Sequence, residues 1–153
     1  MMITDLVAPE AIVPALKVNS KKQALQELAA RAAELTEQND RAIFEVLLRR
    51  EKLGTTAVGY GVAIPHGRSA SVAEPRAAFV RLATPIDFGA DDRKPVDLVA
   101  ALIVPEHFTD QHLKLLAELA ELFSDAELTA ELRAVPDARA LRDLLYKAKA
   151  AGR

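Results

Sequence analysis

The sequence predicts an α/β protein, a three-layer sandwich in which helices flank a central mixed β-sheet. Amphipathic helical patterns occupy the first and the last third of the chain, and apolar stretches of strand length lie between them. The length of 153 residues, with half of the residues apolar and 27% charged, suits one globular domain over residues 1–153.

Two helices are predicted in the first third of the chain. Ser20-Lys21-Lys22-Gln23 is a capping-box pattern that starts the first helix, because its serine and glutamine side chains can satisfy free backbone N–H groups. Asn39 or Asp40 caps the second helix, and Gly54 is expected to end it in the left-handed conformation. Apolar residues recur at helical spacing in both: Ala24, Leu25, Leu28, Ala29, Ala32 and Leu35, then Ile43, Phe44, Val46, Leu47 and Leu48.

The middle of the chain predicts three strands. Val62-Ala63-Ile64 is a short buried strand that Pro65 closes. Residues 77–84 alternate in polarity and predict a half-exposed strand. Residues 96–104 are almost continuously apolar, which is typical of a central strand covered on both faces.

The last third of the chain is helical again. Thr109 or Asp110 caps a third helix, and Pro136 starts the last one. Between them, Ser124-Asp125-Ala126-Glu127 is a second capping box that starts a short helix.

The composition excludes several classes of function. Without cysteine the chain has no disulfide, thiolate metal site or thiol nucleophile. A net charge of −2 argues against a broad nucleic-acid surface, although it leaves a local basic patch open. No apolar run approaches the roughly 20 residues that span a bilayer, so we expect a cytoplasmic protein without membrane insertion.

A glycine-rich segment in the middle of the chain holds the main candidate residue. It lacks the Gly-Lys-Ser/Thr of a P-loop and opens no helix as a dinucleotide fingerprint would. His66 follows the predicted strand, where Pro65 ends the strand and Gly67 is expected to let the chain turn away from the ring. Residues 58–61 are expected to surround this ring. His66 is therefore either an incidental turn histidine or a nucleophile or general base.

The pattern that favours the functional reading starts at Glu51. After six residues come Val58-Gly59, then two residues, then Val62-Ala63-Ile64-Pro65-His66-Gly67. This pattern resembles the signature of the type-2 enzyme IIA domains of the bacterial phosphotransferase system, the fructose/mannitol class. Residues 50–56, Pro95-Val96-Asp97-Leu98 and His112-Leu113 resemble the nitrogen-regulatory branch in particular.

The resemblance implies a phosphotransferase component that works as a phosphocarrier. His66 would accept a phosphoryl group, as tele-phosphohistidine, from a histidine-phosphorylated HPr-like carrier protein, and Arg50 and His112 would stabilise it. Phosphorylation would then regulate partners such as transporters or sensor kinases, with no cofactor and no nucleic acid, and an oligomer stays open. The alternative within this family is a sugar-specific enzyme IIA that passes phosphate to an enzyme IIB.

Other assignments were weighed from the residues themselves. Arg49 competes with Arg50, because adjacent helical residues point about 100° apart and only one is expected to face the site. A metal site from His66, His107 and His112 lacks short ligand spacing, and His107 is assigned to the surface. Ser69 and Ser71 are not assigned as nucleophiles, because they lack a nucleophile-elbow context. Glu51 and Glu74 are expected to be solvated and are given no role.

Overall fold

A six-stranded mixed sheet forms the centre of the molecule. The computed structural model describes residues 6–36, 39–70, 72–107 and 110–152. The strands are β1 (Ile12–Leu16), β2 (Ala57–Gly59), β3 (Val62–Ala63), β4 (His66–Ser69), β5 (Arg76–Ile86) and β6 (Val96–Pro105). The helices are α1 (Lys21–Thr36), α2 (Asp40–Leu53), α3 (Asp110–Phe123), α4 (Ala126–Ala134) and α5 (Ala138–Gly152), and a 3₁₀ turn, Pro9–Ala11, precedes β1.

Strand β6 is the organising strand of this sheet. The order is β1-β5-β6-β3-β2, and β4 pairs with β6 farther along the same side as β3. The pairs β1–β5, β3–β6 and β4–β6 are parallel, whereas β5–β6 and β2–β3 are antiparallel. Apart from half-buried Asp97, every residue of β6 is buried, so the prediction of a central strand covered on both faces is confirmed.

Helices cover both faces of the sheet. On one face the ring of Phe79 stacks on Phe123 of α3, with centroids 5.6 Å apart, and Arg81 donates to the carbonyls of Leu132 and Val135 around the end of α4. On the other face α1 and α2 pack together, α1 against β5 and α2 against β4. The predicted three-layer α/β sandwich is confirmed. None of the described helices combines the length and apolar character needed to cross a membrane.

Strand β5 corrects one prediction. Its first half was expected to be half-exposed, yet residues 77–80 are all buried, and only residues 83–85 are exposed. The reason is the second helical layer: Phe79 and Val80 point to opposite faces, and each face is covered. Strands β1, β2 and β4 were not predicted, because each has at most five residues and its strand conformation depends on pairing with another strand.

The helix ends agree with the predictions in part. The Ser20 hydroxyl accepts from Gln23 N–H at 3.1 Å as predicted, but the Gln23 side chain accepts from Asn19 N–H at 2.7 Å. Asn39 caps α2, its side chain accepting from Arg41 N–H. Gly54 follows α2 with φ 158° and ψ 154°, so its φ is positive, as a glycine allows, but its ψ lies outside the left-handed helical conformation that was expected.

Two caps in the last third lie one residue or more beyond their predicted positions. Asp125, not Ser124, caps α4, because its carboxylate accepts from Glu127 and Leu128 N–H. Helix α5 begins at Ala138, where the Asp137 carboxylate accepts from Ala140 N–H, rather than at Pro136. Three earlier assignments lie outside the described residues: Ser71, Thr109 and the side chain of Leu35.

Candidate functional site

His66 is the first residue of β4, at an edge of the sheet. It pairs with Leu102 of β6, and Pro65 accepts from Leu102 N–H at 2.8 Å. Strands β3 and β4 therefore run one after the other along β6, and Ile64-Pro65 is a short interruption between them. The predicted strand does end before Pro65, but the chain does not turn away after His66, because the residues beyond the proline form β4 and pair with β6.

One nitrogen of the His66 ring is held by the protein's own backbone. Nδ1 lies 2.8 Å from the carbonyl oxygen of Ile64. A carbonyl can only accept, so the proton of the neutral ring is on Nδ1 and the free lone pair is on Nε2. Burial lowers the pKa of His66 below 6.5, the bond to Ile64 opposes this shift, and the charge of Arg50 lowers the pKa further. His66 is therefore neutral at pH 7.

Gly67 is required by packing and not by a turn. A Cβ built on Gly67 would overlap with Cγ1 of Val46 in α2. Gly67 lies inside β4 without a positive φ, so the expectation that it lets the chain turn away is wrong. The absence of a side chain allows β4 to lie directly against α2.

His112 approaches His66 from the opposite wall. It lies in the first turn of α3, and the two rings are edge-on, with centroids 5.4 Å apart and planes at 79°. Nε2 of His112 is buried and has no hydrogen-bond partner in the described part of the chain, a condition that costs about 1–3 kcal/mol. Burial lowers the pKa of His112 to about 4, and the charges of His66 and Arg68 lower it in the same direction.

Three arginines line the cleft in front of His66. Arg50 is half-buried, donates to the Gly54 carbonyl at 2.8 Å, and lowers the pKa of His66 through its charge. Arg49 is exposed and also lines the cleft, but of the two adjacent arginines Arg50 is the one whose charge acts on His66. The cleft extends along α2 far enough to include both. Sequence reasoning missed Arg68, although position i+2 from His66 on a strand shares its face.

The cleft is open and about 770 Å³ in volume. Its walls come from the last two turns of α2, the start of β4 and the first two turns of α3. Two leucines at its rim are strongly exposed, Leu53 at 82% and Leu113 at 68%. Glu106 and Asp110 also contribute to the lining, so three arginines face two carboxylates.

Residues 58–61 lie elsewhere, which corrects the expectation that they surround the His66 ring. Val58 and Gly59 are the last residues of β2, Tyr60 and Gly61 form the turn to β3, and these residues line two pockets that do not include His66. Tyr60 donates its N–H to Asp92 at 2.9 Å and accepts from Arg133 at 2.7 Å. A Cβ on Gly61, which has φ 79°, would lie 2.6 Å from the Arg133 guanidinium. This glycine therefore makes room for an arginine and takes no part in the cleft.

Glu51 is buried, and the expectation that it is solvated is wrong. Its side chain is only 3% exposed and pairs with Lys21 at 3.0 Å. Glu74 is 69% exposed, as expected, and His107 lies on the surface. Among the residues that the structure describes, no three His, Cys, Asp or Glu side chains are grouped so that they could hold a metal ion.

A neutral histidine with one free ring nitrogen, beside arginines and a half-buried second histidine, is suited chemically to carrying a phosphoryl group. Residues 5–148 match the family model of the phosphoenolpyruvate-dependent sugar phosphotransferase system, EIIA 2, and the chain belongs to this family. The resemblance drawn from the residues around His66 is confirmed.

Individual relatives show which members of the family this chain is similar to. The chain is 63% identical over 145 residues to the nitrogen regulatory protein of Bradyrhizobium diazoefficiens, covering 95% of each chain. The crystal structure of nitrogen regulatory protein IIA-Ntr from Neisseria meningitidis has a TM-score of 0.88 and 39% identity, over 94% of this chain and 98% of that one. The fructose-specific EIIA component of Haloferax volcanii is 33% identical over 82% of each chain.

Proposed function

We propose that this protein is a phosphocarrier of a nitrogen-regulatory phosphotransferase system. It accepts a phosphoryl group on His66 from a histidine-phosphorylated, HPr-like carrier protein in the cytoplasm, and its phosphorylation state regulates partner proteins. The observation that carries the proposal is the hydrogen bond from His66 Nδ1 to the Ile64 carbonyl, which leaves Nε2 as the ring nitrogen with a free lone pair.

The transfer follows from this protonation state. The Nε2 lone pair of His66 forms a bond to phosphorus while the bond from phosphorus to the donor's histidine nitrogen breaks and returns its electron pair to the donor. Nδ1 of His66 keeps its proton and its bond to Ile64 throughout. The product is the tele-phosphohistidine, and no cofactor is required.

Arg50 and His112 supply the stabilisation that phosphoryl transfer needs. The charge spreads over the equatorial oxygens, so cationic and donor groups matter more than covalent help. Arg50 is the arginine whose charge already acts on His66, and its planar fork suits phosphoryl oxygens. The unpartnered Nε2 of His112 would gain a hydrogen-bond partner when a phosphoryl group arrives.

The rim of the cleft supports a protein as the donor. Leu53 and Leu113 expose large apolar side chains on either side of the cationic cleft. An apolar rim around a charged centre fits a protein surface that delivers the phosphoryl group in the middle of an interface. The high identity to the Bradyrhizobium protein favours the regulatory branch over the alternative, a fructose- or mannitol-specific enzyme IIA.

The proposal is tested by incubating the protein with phosphoenolpyruvate, the carrier protein and the enzyme that phosphorylates this carrier from phosphoenolpyruvate. Intact mass should increase by one acid-labile phosphoryl group, and mapping should place it on His66 Nε2. His66→Ala is the control and should gain no mass. Phosphate on His107 or His112, or the absence of transfer from any histidine-phosphorylated carrier, would overturn the proposal.

A second experiment separates regulation from sugar transport. Proteins captured from lysate by the phosphorylated chain and by His66→Ala are compared, and labelled phosphate is chased toward candidate enzyme IIB proteins. The regulatory branch predicts at least one partner whose binding depends on phosphorylation. Rapid stoichiometric transfer to a sugar-specific enzyme IIB, with no such partner, favours the transport alternative.

A further inference from the structure

We propose that the buried carboxylate of Glu51 is a positioning residue that holds both His66 and Arg50 through the backbone of the turn that follows α2. The catalytic consequence of this inference rests on the proposed function, whereas the geometric consequence is measurable in the protein alone. Glu51 itself does not line the cleft.

The first step is the set of partners that Glu51 holds. One carboxylate oxygen, Oε2, accepts from Lys21 Nζ and from Thr56 N–H, both at 3.0 Å. The other, Oε1, accepts from the Thr56 hydroxyl at 2.5 Å. Burying a carboxylate to 3% exposure costs free energy unless its oxygens are paired and hydrogen-bonded, so these bonds constrain Thr56 strongly.

The second step leads from Thr56 to His66. The Thr56 carbonyl accepts from Ile64 N–H at 3.0 Å, and the Ile64 carbonyl accepts from His66 Nδ1 at 2.8 Å. Only two residues therefore lie between the carboxylate and the imidazole, and a hydrogen bond joins each to the next. A shift of Thr56 therefore moves Ile64, whose carbonyl keeps the proton of His66 on Nδ1.

The third step leads from the same turn to Arg50. Its guanidinium donates to the carbonyl of Gly54 at 2.8 Å, two residues before Thr56. Thr55, between them, donates its hydroxyl to the Phe88 carbonyl at 2.6 Å. The turn is anchored at Thr55 and Thr56, and Arg50 takes its position from the fixed carbonyl beside these anchors.

Lys21 closes the network from the other side. Its ammonium group lies 3.0 Å from Glu51 and 5.0 Å from the centre of the Phe88 ring. The start of α1 and the end of α2 thus meet at the Lys21–Glu51 pair, and the segment after β5 packs against Lys21. The charge of Glu51 also raises the pKa of His66, against the larger effect of burial.

The test compares the His66 tautomer and the rate of phosphorylation in matched variants. Glu51→Gln keeps the shape of the side chain but replaces one accepting oxygen with an NH₂ group that cannot accept. Thr56→Val removes only the hydroxyl bond, and Thr56→Ser retains it. Glu74→Gln is the control, because Glu74 is an exposed glutamate away from the turn. Circular dichroism and thermal unfolding establish that each variant is folded.

The spectroscopic readout is the ¹⁵N shift pair of the His66 ring in the protein without any donor. At pH 8 the wild-type ring should show the Nδ1–H form, and Glu51→Gln should show a mixture of tautomers and a lower pKa for His66. The rate of phosphorylation should fall at least about tenfold in Glu51→Gln, and Thr56→Ser should be faster than Thr56→Val. Glu74→Gln should match the wild type.

Unchanged tautomer, pKa and rate in a folded Glu51→Gln would overturn the positioning role. If Glu51→Gln does not fold, Thr56→Val decides, and its wild-type tautomer and rate would overturn the role equally. The proposed function fails in a different way: a wild-type protein that takes no phosphate disproves the phosphocarrier, while the tautomer comparison still tests Glu51.

Discussion

Gly67→Ala is expected to destabilise the fold and slow phosphorylation together. The added Cβ would overlap with Cγ1 of Val46, a β-branched side chain with little freedom to rotate away on a helix. Overpacking of this kind costs about 1–3 kcal/mol, while the loss of glycine's freedom in the unfolded chain returns about 0.4–1 kcal/mol. We expect a net loss of roughly 1–2 kcal/mol in the free energy of unfolding.

The activity should fall because the clash acts on the helix that carries Arg50. Val46 and Arg50 are one turn apart on α2 and both line the cleft. A displacement of about 1 Å in a positioned group costs up to roughly 100-fold in rate. The assays are urea unfolding followed by circular dichroism, and single-turnover phosphorylation by the carrier.

Val46→Ala provides the control for this reasoning. Removing Cγ1 leaves the Val46 carbonyl oxygen, 3.5 Å from the new Cβ, as the nearest atom, which is ordinary contact. In that background Gly67→Ala should be neutral or slightly stabilising, a coupling of about 1–3 kcal/mol between the two positions. If Gly67→Ala costs the same with and without Val46, the glycine is required by backbone conformation and the packing argument is wrong.

Two further predictions concern the charged groups of the cleft. Arg50→Ala should raise the barrier to phosphorylation by about 2–4 kcal/mol with little change in stability, and Arg49→Ala should matter far less; equal single-turnover rates in the two variants would overturn the assignment of this role to Arg50 and not Arg49. The pKa of His112, lowered to about 4 by burial, should rise when His66 is phosphorylated, because a nearby dianion favours the protonated ring; an NMR titration in both states checks this, and an unchanged pKa would place His112 away from the phosphoryl group.

The helical and central-strand pattern was predictable because each signal is local. The spacing of apolar residues in α1 and α2 and the apolar run of β6 follow directly from helical and buried-strand periodicity. Burial along β5 was not predictable from alternation, because the layer that covers its second face comes from a distant part of the chain. Asp125 capped α4 in place of Ser124, since adjacent residues offered equivalent acceptors.

In the candidate site, too, some residues were predictable from local sequence patterns and others were not. Pro65-His66-Gly67 identified the histidine, yet the reason for the glycine was a contact with α2 that no local pattern contains. Glu51 was expected to be solvated because a glutamate near a helix end usually is, and its burial depends on Lys21, thirty residues earlier, and on the turn at Thr56. Residues that act through tertiary contacts of this kind are invisible to spacing arguments.

Under the proposed function, the charges of the cleft would let one face serve both the delivery of the phosphoryl group and the regulation of partners. Without phosphate, the lining arginines outnumber the carboxylates of Glu106 and Asp110 by one, which favours a donor that carries a dianion. A phosphoryl group on His66 adds roughly two negative charges and reverses the local sign. The carrier protein that had given up its phosphoryl group would then no longer be attracted by the cleft, and a partner packed on the exposed Leu53 and Leu113 would face an anion in place of a neutral ring. Incompletely compensated burial of that charge costs several kcal/mol, enough to change affinity by orders of magnitude. A partner with its own arginine cluster would show the reverse preference, so under the proposed function His66 would be the switch and the partner's surface would decide whether phosphorylation strengthens or weakens binding.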